Sequence, residues 1–252
     1  MLEGAAKIVV VVIIKIIIII IIIIITQELK KLKNSIAMPN LLYILRTSPC
    51  ANNPLLQVFD IKLKEGLQTI LNVELSDLQW KQASLPVHMG GLGVRSACML
   101  APSAFLASAA ATLPLQEVIL SSSLAEVEDK AVSIAKASWL NISNTIEPLD
   151  SIKHIQRAWD TPVTTATYNN LLAACTTAVD QARLKAMVSP HAGDWLHASP
   201  LTAVGLRLSD KAIRVATGIR IGTNLCQPHT CIQHLTQRLV SSINPVTLPV
   251  FV

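Results

Sequence analysis

Residues 55–71 read LLQVFDIKLKEGLQTIL, and the spacing of their apolar side chains decides the fold class. An apolar residue returns at every third or fourth position, namely Leu55, Val58, Phe59, Leu63, Leu67, Ile70 and Leu71. This interval matches the α-helical turn of about 3.6 residues and places these side chains on one face. The stretch therefore predicts a helix that packs against other helices.

Helical spacing continues on both sides of this stretch. Ser76 and Asp77 predict an N-cap for a short helix through Trp80. Residues 97–113 are rich in alanine and serine, which predicts a close-packing helix broken near Pro102. Further helical segments are predicted over 28–45 (interrupted at Pro39), 115–140, 151–159, 164–188 and 209–218 (capped by Ser209). No segment shows strand alternation, so the predicted fold class is mainly α, an irregular helical bundle fragment.

An apolar tract precedes the helical region. Residues 8–25 read IVVVVIIKIIIIIIIIII, and only Lys15 interrupts the apolar run. Such a length spans about 27 Å as a helix, close to the ~30 Å hydrocarbon core of a bilayer. Residues 1–26 are therefore a low-complexity transmembrane candidate, with the membrane as partner through residues 8–25. Three lysines follow the tract closely and one precedes it, which favours a cytosolic C-terminal side.

The tract also has a second interpretation. It is nearly pure isoleucine and valine, whereas natural spanning helices mix leucine, alanine, glycine and phenylalanine with them. Isoleucine codons are one base away from valine codons and from lysine codons, so a translated simple-repeat DNA tract gives the same composition. The tract then has no selected role, and the chain, if it is expressed, is cytoplasmic. Its β-propensity would still make it prone to aggregation.

Composition bounds the remaining possibilities. The chain has 252 residues, enough for one sizeable domain or two small ones. A net charge of +5 permits attraction to phosphates or anionic lipid. Five cysteines, an odd and mostly scattered set, do not form the framework of a secreted disulfide-rich protein, which indicates a reducing compartment.

Motifs for catalysis are incomplete. The GGLGV stretch at 90–94 lacks the spacing of a dinucleotide or P-loop motif and is interpreted as a flexible turn between helices, overlapping the turn region predicted at 86–93. The aspartates include no adjacent pair, so the two-metal chemistry of polymerases is not expected. His191, Asp194 and His197 cluster in HAGDWLH, but histidines six residues apart do not share a helical face. We therefore predict no enzymatic activity and no small-molecule substrate.

Two patterns could bind a ligand. Cys226, His229, Cys231 and His234 lie within nine residues and could coordinate zinc; two free thiols in a frayed tail are the favoured alternative, so no cofactor is expected. Arg207, Lys211 and Arg214 share a helical face, with Arg220 beyond them. This basic stripe could bind the phosphates of RNA or DNA weakly and in a salt-sensitive way, while a solvated helix face is the simpler interpretation.

Three strings together carry a family resemblance. They are LSDLQWKQASLPVHMGGLGVRSA at 75–97, LAPSAFLASAA at 100–110 and GDWLHASPLTAVGLRLSDKAIRVATGIRIGTNLCQPHTC at 193–231. Combined, they resemble the C-terminal part of the reverse-transcriptase polyprotein of animal non-LTR retrotransposons. The resemblance covers roughly residues 40–231.

This resemblance implies an origin rather than an activity. In that family, the region lies downstream of the polymerase palm and ends in a Cys/His-rich segment thought to bind nucleic acid. It implies that residues 27–225 are a helical region of this kind. Residues 226–252 are then expected to be a truncated, disordered Cys/His tail in which Cys226, Cys231 and His229 are ligand remnants. The chain is interpreted as a non-catalytic remnant with at most weak nucleic-acid binding. The alternative is a single-pass membrane protein with a cytosolic helical domain.

Overall fold

Helices make up the framework of the computed structural model, which describes residues 38–120, 130–197 and 209–223. The α-helices in these ranges are α1 (Met38–Thr47), α2 (Pro54–Leu71), α3 (Asp77–Ala83), α4 (Ala97–Leu120), α5 (Lys130–Ser143), α6 (Gln156–Ala174), α7 (Ala178–Met187) and α8 (Asp210–Ile221). Short 3-10 turns occupy Val87–Met89, Asp150–Ile152 and Asp194–Leu196. No strand occurs within the described ranges, so the mainly α prediction is confirmed.

Helix α2 confirms the prediction made from residues 55–71. Asn53 caps its start by accepting a hydrogen bond from the Leu55 N–H, and Pro54 occupies the first turn, where no donor is needed. The buried face contains Leu56, Phe59, Leu63 and Leu67. Val58 is 42% exposed, so the inward face is rotated slightly from the one that the apolar pattern alone suggests.

Helix α4 forms the centre of the bundle and contacts α1, α2, α5 and α6. The predicted break near Pro102 is wrong, because α4 runs through both Pro102 and Pro114. A proline removes one backbone hydrogen bond from a helix. Residues 100–107 are all buried, and Pro102 is among them. We attribute the continuity of the helix to this burial, which offsets the lost bond.

One other helix boundary differs from expectation, and two predicted segments are described only in part. Of the segment predicted over 115–140, α4 covers the part to Leu120 and α5 the part from Lys130, while residues 121–129 lie outside the described ranges. The segment predicted over 164–188 is two helices, because Thr177 caps a new start by accepting a bond from the Asp180 N–H. The segment predicted over 28–45 is described only from residue 38, where α1 begins with Pro39 in its first turn. The Ser76 cap is confirmed and forms a full capping box with Gln79.

Two tryptophans anchor the second part of the core. Trp139 of α5 and Trp159 of α6 meet edge to face, with ring centroids 5.1 Å apart. Each indole N–H donates to a backbone carbonyl, Trp139 to Trp159 at 2.8 Å and Trp159 to Lys153 at 2.7 Å. The pair fixes α5 against α6 because both rings are buried and their polar atoms are satisfied.

One helix in the described ranges is long and apolar enough to cross a membrane. The segment is Ala97–Gln116 of α4, with a mean hydropathy of 1.5. The first half of α4 is buried in the core, and a core helix of a soluble protein passes the same test. The apolar tract at 8–25, the segment 1–26 that contains it and the tail at 226–252 lie outside the described residues.

Candidate nucleic-acid interface on helix α8

Helix α8 carries three of the four residues predicted to contact nucleic acid. Ser209 starts it, as predicted, and the serine hydroxyl accepts a bond of 3.2 Å from the Ala212 N–H. The helix ends at Ile221, three residues beyond the predicted end at Gly218, and Gly222 caps it in the left-handed region at φ 70°. The helix is therefore defined at both ends by local sequence.

The first two turns of α8 are exposed and basic. Lys211 and Arg214 are both exposed and lie three residues apart, on one face of the helix. The Arg214 Nε donates to the Ile70 carbonyl at 3.0 Å. Because Ile70 is in the last turn of α2, this carbonyl belongs to the partly negative end of that helix. Arg207 lies outside the described residues.

Arg220 corrects the predicted basic stripe. It is 1% exposed, so it is not available to a phosphate in solution. Its guanidinium donates to three backbone carbonyls: Nε to Gly91 at 3.0 Å, Nη1 to Ala192 at 2.9 Å and Nη2 to Val87 at 2.7 Å. Burial lowers the pKa of Arg220, but an arginine remains charged in proteins. Arg220 therefore anchors α8 to two loops and does not present a charge to solvent.

The backbone of Arg220 is held as well as its side chain. Its carbonyl accepts bonds from Gln82 Nε2 at 2.9 Å and from Arg183 Nη1 at 2.6 Å. Gln82 also donates to the Gly90 carbonyl at 3.2 Å and accepts from Arg183 at 3.0 Å. The end of α8 is thus joined to α3 and α7, while its start is exposed to solvent.

The glycine-rich turn at 90–94 has a structural role in this arrangement. Gly90 has φ +83°, which favours glycine. A Cβ at Gly91 would lie 2.1 Å from the Leu85 carbonyl oxygen, so only glycine fits there. These glycines let the turn fold closely enough for the Gly91 carbonyl to meet Arg220. The sequence-based interpretation of GGLGV as a turn agrees with this geometry.

No described group of three or more His, Cys, Asp or Glu residues could hold a metal ion. His191 Nδ1 and Asp194 Oδ2 are 2.8 Å apart on the surface, while His197 is exposed and outside this pair. The predicted zinc remnants Cys226, His229 and Cys231 lie beyond the described ranges.

Two cysteines of the core are poor nucleophiles. Burial raises the pKa of Cys50 to about 11. Burial, and then the charge of nearby Asp60, raise the pKa of Cys98 to about 12. Both groups are therefore protonated thiols at neutral pH. Because the thiolate is the reactive form of cysteine, neither is a good nucleophile.

Sequence reasoning missed the anchoring role of Arg220, and no local pattern indicated it. Thr217, Arg220 and Ile221 are buried near the end of α8. Arg214 lies three and seven residues before Thr217 and Ile221, so a helical projection places it on the same side as these buried residues. It is nevertheless exposed, which shows that position along the helix, and not its face alone, decides which basic residue is buried.

Comparison of the chain with protein-family models, curated proteins and solved structures gave no match.

Proposed function

We propose that this chain is a non-catalytic, helical remnant of a retrotransposon reverse-transcriptase polyprotein that binds RNA or DNA weakly through the start of α8. The proposal rests on the family resemblance of the three strings described above. The observation that carries the binding activity is that Lys211 and Arg214 are exposed on a helix whose other end is fixed by Arg220.

The geometry of Arg214 supports binding to phosphate. Its Nε bond to Ile70 orients the guanidinium, and arginine has four further N–H donors to offer. An arginine held in place loses less entropy when it binds a phosphate than a free one does. Lys211, one turn earlier, adds a second positive charge on the same face. Two contacts of this kind predict weak binding without base specificity.

The test is salt-dependent binding of the whole chain, kept in detergent, to a fluorescent single-stranded oligonucleotide. Each phosphate contact contributes roughly −0.7 to the slope of log K against log salt for single strands. The double variant Lys211→Gln with Arg214→Gln should lose affinity and flatten this slope by about 1 to 1.5. Absence of wild-type binding at low salt would contradict the proposal.

A charge-matched control separates a local contact from general attraction. Lys130 and Lys185 are also exposed, and they lie on α5 and α7. The variant Lys130→Gln with Lys185→Gln removes the same net charge as the α8 variant. We expect it to keep the wild-type slope. Equal losses in both variants would assign the binding to overall charge and would leave α8 without a specific role.

Membrane anchoring through residues 8–25 is the second candidate function. The favouring observation is the apolar tract itself, whose length as a helix matches the hydrocarbon thickness. Under this proposal, the helical region described above is a cytosolic domain on a single span. The whole chain should then stay with membranes in alkaline carbonate and be released only by detergent. Release by carbonate alone would rule the anchor out.

A further inference from the structure

The loop between α5 and α6, residues 144–155, exposes a set of large aliphatic side chains. Ile146 is 91% exposed and Leu149 is 75% exposed, and Ile152 and Ile155 are exposed as well. Single apolar side chains on a surface are common, but several that form one patch are typical of an interaction site. The question is therefore whether these four side chains lie together.

The aliphatic residues recur at every third position, and the backbone turns with the same period. The Ile152 N–H donates to the Leu149 carbonyl at 3.0 Å, and the Ile155 N–H donates to the Ile152 carbonyl at 2.9 Å. Bonds between residues three apart are those of a 3-10 turn, in which side chains i and i+3 lie on the same side. Leu149, Ile152 and Ile155 therefore form one apolar column along the loop, and Ile146 precedes it.

A charged column with the same period lies beside the apolar column. Glu147, Asp150 and Lys153 are also three residues apart. The Lys153 Nζ is 2.8 Å from Asp150 and 3.4 Å from Glu147, and the Nζ of Lys136 on α5 is 3.5 Å from the same Glu147. Two lysines and two carboxylates thus balance each other. Their contacts tie the charged column to α5, while the apolar column is left exposed.

Two further cations lie at the same end of the bundle. Arg157 follows the loop in the first turn of α6 and is exposed. Arg46, in the last turn of α1, is also exposed, and its Nη2 donates to Gln156 Oε1 at 2.6 Å. Among the described residues, neither guanidinium has a carboxylate within ion-pair distance. The surface around the apolar column therefore carries an excess of positive charge.

We propose that this loop docks on the surface of an anionic lipid bilayer. The apolar column would insert among the lipid headgroups, and Arg46 and Arg157 would contact their negative charges. Apolar side chains bordered by lysine or arginine are the pattern by which proteins bind such surfaces. The proposal is independent of the nucleic-acid interface on α8, and it does not require residues 8–25 to span the membrane.

The composition of the loop favours lipid over a protein partner. Protein interfaces are enriched in tryptophan, tyrosine and phenylalanine, and their strongest contacts involve tryptophan, tyrosine and arginine rather than leucine. None of the three aromatic types occurs between residues 144 and 155. A purely aliphatic column gains free energy by leaving water, and it needs no complementary pocket to do so. A bilayer supplies such an environment.

The test places the photoreactive residue benzoylphenylalanine at Leu149 of the whole chain, which is reconstituted with vesicles of phosphatidylcholine and phosphatidylserine. Irradiation joins the label to the group that lies against it, and the mass of the intact chain identifies the adduct. We expect an adduct with one lipid molecule. The control carries the label at Val179, which is 78% exposed at the start of α7. The 19 residues of α6 separate the two positions by roughly 28 Å, so we expect no lipid adduct there.

Three results would overturn the proposal. The first is the absence of a lipid adduct at position 149, and the second is an equal yield of lipid adduct at positions 149 and 179. The third is an adduct of two chains in place of the lipid adduct, which would assign the loop to self-association.

A pair of charge variants tests whether the surface must be anionic. The variant Arg46→Gln with Arg157→Gln should lower the yield of lipid adduct at position 149, at limiting lipid, by roughly fivefold or more. Omission of phosphatidylserine should lower the wild-type yield to a similar degree. The variant Lys130→Gln with Lys185→Gln removes the same charge from the far end of α5 and from α7, and it should keep the wild-type yield. Equal yields from the two variants would overturn the role of the arginines and with it the anionic surface.

Discussion

Asp60 and Arg220 are both buried charges, and the structure satisfies them in opposite ways. Asp60 of α2 meets the start of α4, where it accepts bonds from the Ser96 hydroxyl at 2.6 Å and from the N–H groups of Ala97 and Cys98 at 2.7 and 3.2 Å. Arg220 donates to three loop carbonyls. Neither has an oppositely charged side chain among its described partners, so backbone dipoles replace the ion pair in both cases.

The two groups differ in whether they can become neutral when burial disfavours their charged form. A carboxyl group can take up a proton and become neutral, and burial raises the pKa of Asp60 even though its hydrogen bonds oppose the rise. A guanidinium cannot lose its proton in a protein, so it stays charged. Arg220 must therefore keep all its carbonyl partners, and these tie loops far apart in the sequence to one helix end. We infer that Arg220 is the less replaceable of the two residues.

The largest expected effect comes from Arg220→Met, which keeps the length of the side chain but removes its donors. The carbonyls of Gly91 and Ala192 would lose the guanidinium donor, and that of Val87 would keep its bond from the Gly90 N–H. A buried carbonyl left without a partner costs about 1–3 kcal/mol before relaxation. We expect the free energy of unfolding to fall by about 3–5 kcal/mol, measured by urea denaturation of the whole chain in detergent. Arg214→Met on the exposed face should cost less than about 1 kcal/mol. Equal losses in the two variants would show that Arg220 is not an anchor.

The second effect comes from Asp60→Ala. It removes the acceptor from the first N–H groups of α4 and from the Ser96 O–H, whose oxygen still accepts a bond from the Met99 N–H. A helix cap contributes about 0.5–2 kcal/mol, and we expect a loss of about 2 kcal/mol at neutral pH in the same denaturation experiment. Asp60→Asn, which retains one acceptor oxygen, should lose less. A loss larger than that of Arg220→Met would reverse the proposed ranking of the two buried charges.

These two residues also show how far the sequence predicts the structure. Apolar spacing identified α2, and the Ser76 and Ser209 caps located the starts of α3 and α8, because such signals act over a few residues. Asp60 and Arg220 gave no comparable signal, since their partners are 28 to 133 residues away in the chain. The continuity of α4 through Pro102 was missed for the same reason, because burial by other helices stabilises it.

The candidate interface was predictable only in part. The spacing of Lys211 and Arg214 correctly placed them on one helical face, but the same charge count included Arg220, which the fold buries. The hydrogen bonds among Gln82, Arg183 and Arg220 could not be predicted, because these residues lie on α3, α7 and α8. A pairing between residues such as Gln82 and Arg183 depends on tertiary packing that no local pattern specifies.

The third expected effect concerns the C-terminal caps of α2 and α8, the helices that carry Asp60 and Arg220. Helix α2 ends at Asn72 with φ 55° and α8 ends at Gly222 with φ 70°, both in the left-handed region. A left-handed alanine costs about 1–2 kcal/mol, and at Gly222 its Cβ would also displace the Arg183 guanidinium. We expect Gly222→Ala to lose about 1–2 kcal/mol relative to wild type, and Asn72→Ala to lose about 1 kcal/mol or less, because asparagine already bears part of the strain. A smaller loss at Gly222 than at Asn72 would mean that the Arg183 guanidinium adjusts at no cost.

The smallest expected effect is a pH dependence that only Asp60 can show. Because burial raises the pKa of Asp60 above its ordinary value of 3.8, the folded protein takes up this proton at a higher pH than the unfolded chain does. The contribution of this group to stability is therefore complete below 3.8 and is lost as the pH rises through the raised pKa. Subtracting the unfolding free energy of Asp60→Asn from that of the wild type, between about pH 3 and about pH 7, cancels the other carboxyl groups. The difference should favour the wild type most at low pH and shrink as the pH rises.

Arg220 remains charged across this range, so the corresponding difference for Arg220→Met should stay flat. A wild-type advantage over Asp60→Asn that grows with pH would show that the hydrogen bonds from Ser96, Ala97 and Cys98 outweigh burial, and that the two buried charges are held in the same way after all.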